Sequence, residues 1–335
     1  MDVVVKISSY MEYNLALNLV KTNKARSFKC ERKGIGATHM KQFSSVLILN
    51  QTLREAYFGN NTIGDAGAKA LSEGLSQHRE LFKLDVGGNG ITFEGVDDLS
   101  SACSENENLT HLMIGRNPFG DEGARLLGKF LQIHHSLVDL DMQRCEIGPE
   151  GMGYLSKALV VNKSVKHLNL GFNNIGDLGG AELSNVLVEN KTLTTLILKT
   201  NKISDKGIEL LTNALRINKS LLRLVLDGNH ITEVGAESLA ACLKVNSSLF
   251  ILSAKNNKIG NEGCKALASA LLKNKTLQRL YIDRNNISDA GAKDILAMLK
   301  LNSTLSTVSV KYMNKINDTS LIDRIQELLS ENIER

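Results

Sequence analysis

The sequence predicts an α/β fold: a right-handed solenoid horseshoe of about eleven strand–helix repeats, with a parallel sheet on the concave face and helices on the convex face. Three observations predict it. The frame L-x-x-L-x-L-x-x-N-x-I starts at Leu53, Leu81, Leu109, Leu137, Val165, Leu193, Leu221, Leu249 and Leu277, every step being 28 residues without insertion. Within each period the hydrophobic pattern switches from alternation to helical spacing. Asparagine and glycine recur in single columns at fixed offsets.

Each repeat opens on a strand. In "LTTLILKTNKI" Leu196 and Leu198 alternate with Ile197 and Lys199, the two-residue period of a strand with one face buried. A helix follows in "SDKGIELLTNALRIN", where Leu210, Leu211, Ala214 and Leu215 share a stripe. Strands sit ~4.8 Å apart whereas helix axes need roughly 8–10 Å, so a stack of such units bends with its strands inside. Degraded copies begin at Ala25 and Leu305.

The columns have separate physical readings. Asn61, Asn89, Asn117, Asn173, Asn201, Asn229, Asn257 and Asn285 follow the strands, with Cys145 as the exception. An amide there bonds irregular backbone that has left the ladder. Gly67, Gly95, Gly123, Gly151, Gly179, Gly207, Gly235, Gly263 and Gly291 mark a close approach that leaves no room for a Cβ. A second polar column runs through Asn50, His78, Asn106, His134, Asn162, Asn190, Asn218, Asn246, Asn274 and Asn302. Its place just past the helix predicts a left-handed residue. The repeated "NKTL" at Asn190 and Asn274, which reads as a glycosylation sequence, is then a by-product of repeat geometry.

Ends complete the organisation. Residues 1–24 are expected to form an N-terminal cap, a truncated repeat whose helix carries Met11, Leu15 and Leu19 on one stripe with Ala16 and Val20. Residues 25–317 form the array, and 318–335 a capping helix with Ile322, Ile325 and Leu329 inward, all in one continuous domain.

Composition narrows the function classes. A net charge of +4 over 335 residues is too weak to argue for nucleic acid or an anionic membrane. No stretch of about 18 apolar residues occurs. Five cysteines without a CxxC pair point to buried free thiols in a reducing compartment, hence a cytoplasmic setting. The first twenty residues lack a basic lead and apolar run, so no signal peptide is expected. GxxxxGK[ST], HExxH and GxSxG are all missing, so neither enzyme, cofactor nor metal site is expected. His111, Asp139 and His167 share a column on successive strands and could hold zinc; an exposed charge cluster is the expected reading, and Cys145 is expected to be a buried thiol rather than a nucleophile.

The stretch "LRLVLDGNHITEVGAESLAACLKVNSSL" resembles the 28-residue leucine-rich repeat of the ribonuclease-inhibitor class. Similar repeats occur in sensor regions of nucleotide-binding immune receptors, in the Ran GTPase-activating protein and in some bacterial effectors. The resemblance spans roughly residues 25–330. It implies a monomeric, non-enzymatic module, an inhibitor, adaptor or sensor, binding a protein partner on its concave face. A GTPase activator and an effector acting in a host cytoplasm are the alternatives. The third, fifth and seventh positions of each strand, with the eighth at the lip, would line that face. They place acid early (Asp85, Asp139, Asp141) and base late (Lys199, Arg223, Lys255, Arg279). Tyr57, Met113, Phe172, Ile197, Val225 and Tyr281 supply apolar or amphipathic contacts, and His111, His167, Asp227, Asp283 and Arg284 complete the expected partner-binding set.

Overall fold

A computed structural model describes residues 3–6 and 10–334. The chain divides into two compact units, Met1–Asn173 and Asn174–Arg335. In unit 1 the order is β1 (Val3–Lys6), α1 (Tyr10–Lys21), β2 (Ala25–Lys29), α2 (Ala37–Leu47), β3 (Glu55–Tyr57), α3 (Gly64–Leu75), β4 (Lys83–Asp85), α4 (Phe93–Cys103), β5 (His111–Met113), α5 (Gly120–Ile133), β6 (Asp139–Asp141), α6 (Pro149–Val161) and β7 (His167–Asn169). Unit 2 continues with α7 (Gly176–Glu189), β8 (Thr195–Ile197), α8 (Asp205–Leu215), β9 (Arg223–Val225), α9 (Glu233–Leu243), β10 (Ile251–Ser253), α10 (Gly260–Leu271), β11 (Arg279–Tyr281), α11 (Asp289–Leu299), β12 (Thr307–Ser309) and α12 (Thr319–Glu334). Within each unit every strand pairs in parallel with its neighbours in sequence, as a β–α solenoid requires.

The strand alternation appears as expected. Leu84, Leu112 and Leu140 are buried at the middle of their strands, and the residues on either side stay half-exposed. Leu196 and Leu198 are fully buried beside half-exposed Ile197. In α8 the inward stripe is Ile208, Leu211, Ala214 and Leu215, while Leu210 sits on its shoulder. Near the start of unit 1 larger rings fill the same space, with Phe28, Phe43 and Phe58 centroids 4.8–5.7 Å apart.

The first asparagine column is a ladder. Asn117 Nδ2 donates to the carbonyls of Val86 (3.0 Å) and Ile114 (2.8 Å), and its Oδ1 accepts from the amides of Asn89 (2.8 Å) and Ile91 (3.1 Å). One side chain thus satisfies four backbone groups from two successive repeats. At Cys145 the ladder is cut. The thiol lies 3.3 Å from the Gln143 carbonyl and, more weakly, 3.8 Å from that of Ile114, and the Phe119 amide turns instead to Asn117 O at 2.9 Å.

The second column departs from expectation. Asn162 (φ −67°, ψ 131°) and Asn190 (φ −77°, ψ 130°) are extended, not left-handed. Asn190 Oδ1 instead accepts from the amides of Thr192 (2.9 Å) and Leu193 (2.8 Å), closing an Asx turn that aims the chain into the next strand. Asn274 repeats this, and its Nδ2 donates to Leu243 O at 2.8 Å, so the amide nitrogen that would carry a glycan is buried and engaged. Left-handed residues fall instead at the eighth position of the repeat, among them Asn60, Arg116, Arg144, Phe172, Thr200, Asn256 and Arg284.

The glycine column does mark a close approach. A Cβ on Gly207 would stand 2.5 Å from Asp177 Oδ1 and 2.7 Å from Ile203 Cγ2. The aspartate is there because it caps the next helix. Asp177 Oδ1 accepts from the amides of Ser204 (2.8 Å) and Gly207 (3.1 Å), and its Oδ2 from the Ser204 hydroxyl (2.6 Å). Asp65 caps Thr92 and Gly95 in the same way, and Asp205 caps Thr232 and Gly235. These three helices therefore bring a carboxylate to the amide-rich start of their successors, whereas Phe93, Pro149 and Asn261 stand at the equivalent position of others.

At the N-terminus α1 buries Tyr13, Ala16, Leu17 and Val20. Leu15, expected inward, is 63% exposed, and the Met11 side chain lies outside the described residues. Tyr13 displaces the expected stripe because its ring packs edge-on against Phe28 and His39 while its hydroxyl donates to His39 O at 2.6 Å. At the other end α12 buries Leu321, Ile322, Ile325, Leu328 and Leu329, which includes the expected stripe. No helix among the described residues is long and apolar enough to cross a membrane.

Candidate functional site

The side chains that the repeats leave uncovered lie on the strand faces, and the two units furnish them differently. In unit 1, Tyr57 on β3 is half-buried between the ammonium groups of Lys29 and Lys83, 4.9 and 5.4 Å from its ring centroid. Burial, then the adjacent Glu55 carboxylate, pushes its hydroxyl up to about 12, so it stays a neutral donor. Beyond it Asp85, Met113 and Asp141 follow on successive strands in register.

Asp85 and Asp141 are held but not neutralised. Asp85 Oδ1 accepts from Gly87 N at 2.9 Å. Asp141 accepts from Gln143 N (2.9 Å), Gln143 Nε2 (3.0 Å) and Asn169 Nδ2 (3.0 Å). Burial raises both carboxyls above their ordinary value, and the backbone bonds to Gly87 and Gln143 oppose the rise. Bare glycines keep the acids open to the surface: a Cβ on Gly115 would come within 2.8 Å of Asp141 Oδ1. The result is a depression of about 290 Å³ over Asp85, Met113 and Asp141, rimmed by Arg32, Asn60 and Arg116. Arg116 Nη1 donates to Asn60 Oδ1 at 3.2 Å across this rim. Arg32 and Asn60 escaped the sequence reading, although they occupy the same eighth position as Arg116. Farther along, the Arg144 guanidinium stacks on Phe172 at 4.0 Å.

His111, Asp139 and His167 do occupy registered positions on β5, β6 and β7. They form a row along the surface, with His111 Nδ1 bonded to Thr110 Oγ1 at 2.8 Å. Among the described residues no three His, Cys, Asp or Glu side chains converge as metal ligands. The Cys145 thiol, buried, is pushed up to about 12 chiefly by desolvation and so carries no thiolate at neutral pH.

In unit 2 the strand face is basic. Arg223 and Arg279 are exposed on either side of half-exposed Ile251, their register partner on β10. Lys255 Nζ lies 4.8 Å from the Tyr281 ring centroid and 3.2 Å from Asp283 Oδ2. These groups enclose a depression of about 240 Å³ that also takes in Val225, Asp227 and Ser253. Ile197 is half-exposed, and Lys199 and Arg284 are exposed.

Two expected contact residues are corrected here. Val225, flanked in register by Ile197 and Ser253, is only 7% exposed. Asp283 is 3% exposed and spent on structure: it accepts from the Ser309 hydroxyl (2.6 Å), the Tyr312 amide (3.1 Å) and Lys255. Asp227 does similar bracing, accepting from the Ser253 hydroxyl and, at 3.0 Å, from Lys255 N. With its acids turned to internal use, the face presents mainly cations, one aromatic ring and aliphatic groups.

Comparison with known proteins follows the repeat. The family model for the Leucine Rich repeat matches residues 49–72, 105–128, 134–156, 161–184, 189–211, 218–240, 246–268 and 273–296, together more than half of the chain. No curated protein matches. Among solved structures, Rad7 in its complex with Elc1 from yeast is similar with a TM-score of 0.61 at 17% identity, covering 96% of this chain and 81% of that one. An internalin from Listeria monocytogenes gives 0.50 at 14% identity, covering 93% and 87%. The actin-binding site 2 region of leiomodin-1 gives 0.42 at 23% identity, covering 46% and 88%.

Proposed function

Because the chain belongs to the leucine-rich repeat family, whose members are generally protein-interaction modules, we propose that it is a non-enzymatic binding protein that grips a protein partner on its strand faces. The observation that carries this reading is the basic face of unit 2. Arg223 and Arg279 have no carboxylate partner among the described residues, and they stand beside an aliphatic and aromatic floor of Ile251 and Tyr281. Arginine and tyrosine are among the side chains that dominate binding energy at protein interfaces. Unit 1 offers the complementary chemistry, with two carboxylates whose burial leaves them short of compensating charge. A partner with a basic segment for one unit and an acidic, apolar segment for the other satisfies both. Whether it acts as inhibitor, adaptor or sensor turns on that partner.

A photo-crosslinking residue at position 57 or 281 tests the reading, compared with one at Lys206 on the helix side. The strand-face probes should capture the same partner and the Lys206 probe should not. Equal capture from Lys206, or undiminished affinity of Tyr57→Ala with Tyr281→Ala, refutes it.

A further inference from the structure

Unit 2 has another distinctive surface where its helices end. The last four of its five turns from helix to strand pass the buried asparagines Asn218, Asn246, Asn274 and Asn302. Their Nδ2 groups donate at 2.6–2.8 Å to the carbonyls of Leu187, Leu215, Leu243 and Leu271, one repeat earlier. Their Oδ1 atoms accept at 2.8–2.9 Å from the amides that open the next strands. Four successive turns are thereby locked in register, and the residues flanking each asparagine make a row.

The chemistry of that row is unusual. Ile217, Val245, Leu272 and Leu301 are 59, 51, 40 and 73% exposed, one from each turn. Arg216, Lys219, Lys244, Lys273, Lys275 and Lys300 stand among them. No Asp or Glu occurs in 216–222, 244–250, 272–278 or 300–306, and no carboxylate among the described residues pairs with these cations. Acids bound the row at its ends. Glu189 closes α7, and Glu331 and Glu334 lie near Asn332, whose Nδ2 reaches Asn302 O at 2.9 Å.

Two ordinary explanations fall short. Cations at helix C-termini complement the helix dipole, which accounts for the lysines but not for the aliphatic groups. Single exposed apolar residues are common, but here each of four consecutive turns carries one. The corresponding edge of unit 1 is the internal comparison. Ile133 and Val161 are exposed there too, but Arg54 pairs with Glu80 at 2.8 Å, Arg79 pairs with Glu105, and Glu107 adds further acid. Charge is balanced on the edge of unit 1 and one-signed over these four turns of unit 2.

We propose that the rim of unit 2 docks on an anionic lipid bilayer, its aliphatic side chains entering the interface while the flanking cations meet lipid phosphates and carboxylates. Lysine outnumbers arginine here, which favours a lipid surface over an acidic protein, since protein interfaces are depleted in lysine. The net charge of +4 hides the rim because acids elsewhere in the chain cancel it in the total. The proposal is independent of the strand-face reading.

Co-sedimentation of the full chain with phosphatidylcholine vesicles, with and without phosphatidylserine, tests it. Binding should require phosphatidylserine and weaken with salt. Lys273→Glu with Lys275→Glu should lower partitioning roughly tenfold or more. Ile217→Ser with Leu301→Ser should lower it several-fold at unchanged charge. All these positions are exposed, and an unchanged thermal melt verifies folding. Tyr281→Ala should bind vesicles like the parent, which separates failure here from failure of the strand-face reading. No sedimentation with phosphatidylserine vesicles at low salt overturns the proposal and leaves an acidic protein as the rim's occupant; full binding by the Ile217→Ser, Leu301→Ser protein overturns it as well.

Discussion

Removing one rung of the asparagine ladder has a cost that follows from its bonds. Asn229, 5% exposed, donates to Leu198 O and Leu226 O, both at 2.9 Å, and accepts from Asn201 N at 3.0 Å and Ile203 N at 3.1 Å. Asn229→Ala leaves the amides of Asn201 and Ile203 without their acceptor at the strand-to-helix loop, while Leu226 O keeps the Asn257 amide at 3.1 Å. A buried polar group stripped of its partner costs about 1–3 kcal/mol, so even the lower figure for the two amides gives about 2 kcal/mol. That is a large share of the stability of an ordinary domain, about 5–15 kcal/mol. Unfolding of repeat arrays need not be two-state, so the assay should be local. Hydrogen exchange by mass spectrometry over residues 198–206 should speed up by about 30-fold or more, with a smaller change at the corresponding loops of unit 1. Exchange within threefold of the parent would refute the ladder as the element that holds these loops.

The converse substitution, Cys145→Asn, supplies the missing rung next to the Phe119 amide and should raise the melting temperature by a few degrees, for a gain of about 1 kcal/mol; a lower melting temperature would mean the loop has repacked around the thiol. Gly207→Ala drives a methyl into Asp177 and Ile203 and disturbs the helix cap, so it should cost about 1–3 kcal/mol by chemical denaturation, despite alanine's better helix propensity. His134 is buried with its Nδ1 unpartnered, and burial lowers its pKa below the ordinary 6.5. The unfolded chain therefore binds the proton more readily, stability falls as pH drops below that value, and His134→Asn should flatten the loss in melts at several pH values. Asp85 and Asp141 have the opposite sign. With folded pKa values raised by burial, their contribution is lost as pH rises through the carboxylate range. Asp85→Asn, which keeps the acceptor for Gly87, should thus raise the melting temperature at neutral pH while weakening any partner that brings a cation to unit 1.

The period was legible because it rests on short-range physics. Leu196 and Leu198 alternate with Ile197 wherever a strand has one buried face, and the stripe ending in Ala214 and Leu215 needs only helical spacing. The glycine column was readable for a related reason, since a Cβ is excluded by atoms that recur one repeat away. The second asparagine column misled because a turn can be closed by left-handed backbone or by a side-chain amide, and composition alone does not separate the two. At Asn190 the buried amide bonds chose the second.

The candidate site was legible as a set of columns and illegible as a surface. Arg32 and Asn60 join Arg116 at a rim that only the assembled strands create. Val225 and Asp283 are covered in the folded chain: one is buried between Ile197 and Ser253 in the strand register, the other is claimed by Ser309, Tyr312 and Lys255. The amino-acid sequence by itself determined the unit, its pitch and the alternation of faces, because those depend on residues within one period of each other. Tertiary structure alone decided which polar groups are spent holding adjacent repeats and which stay open to a partner, because that allocation depends on what the flanking strands bring within hydrogen-bonding reach.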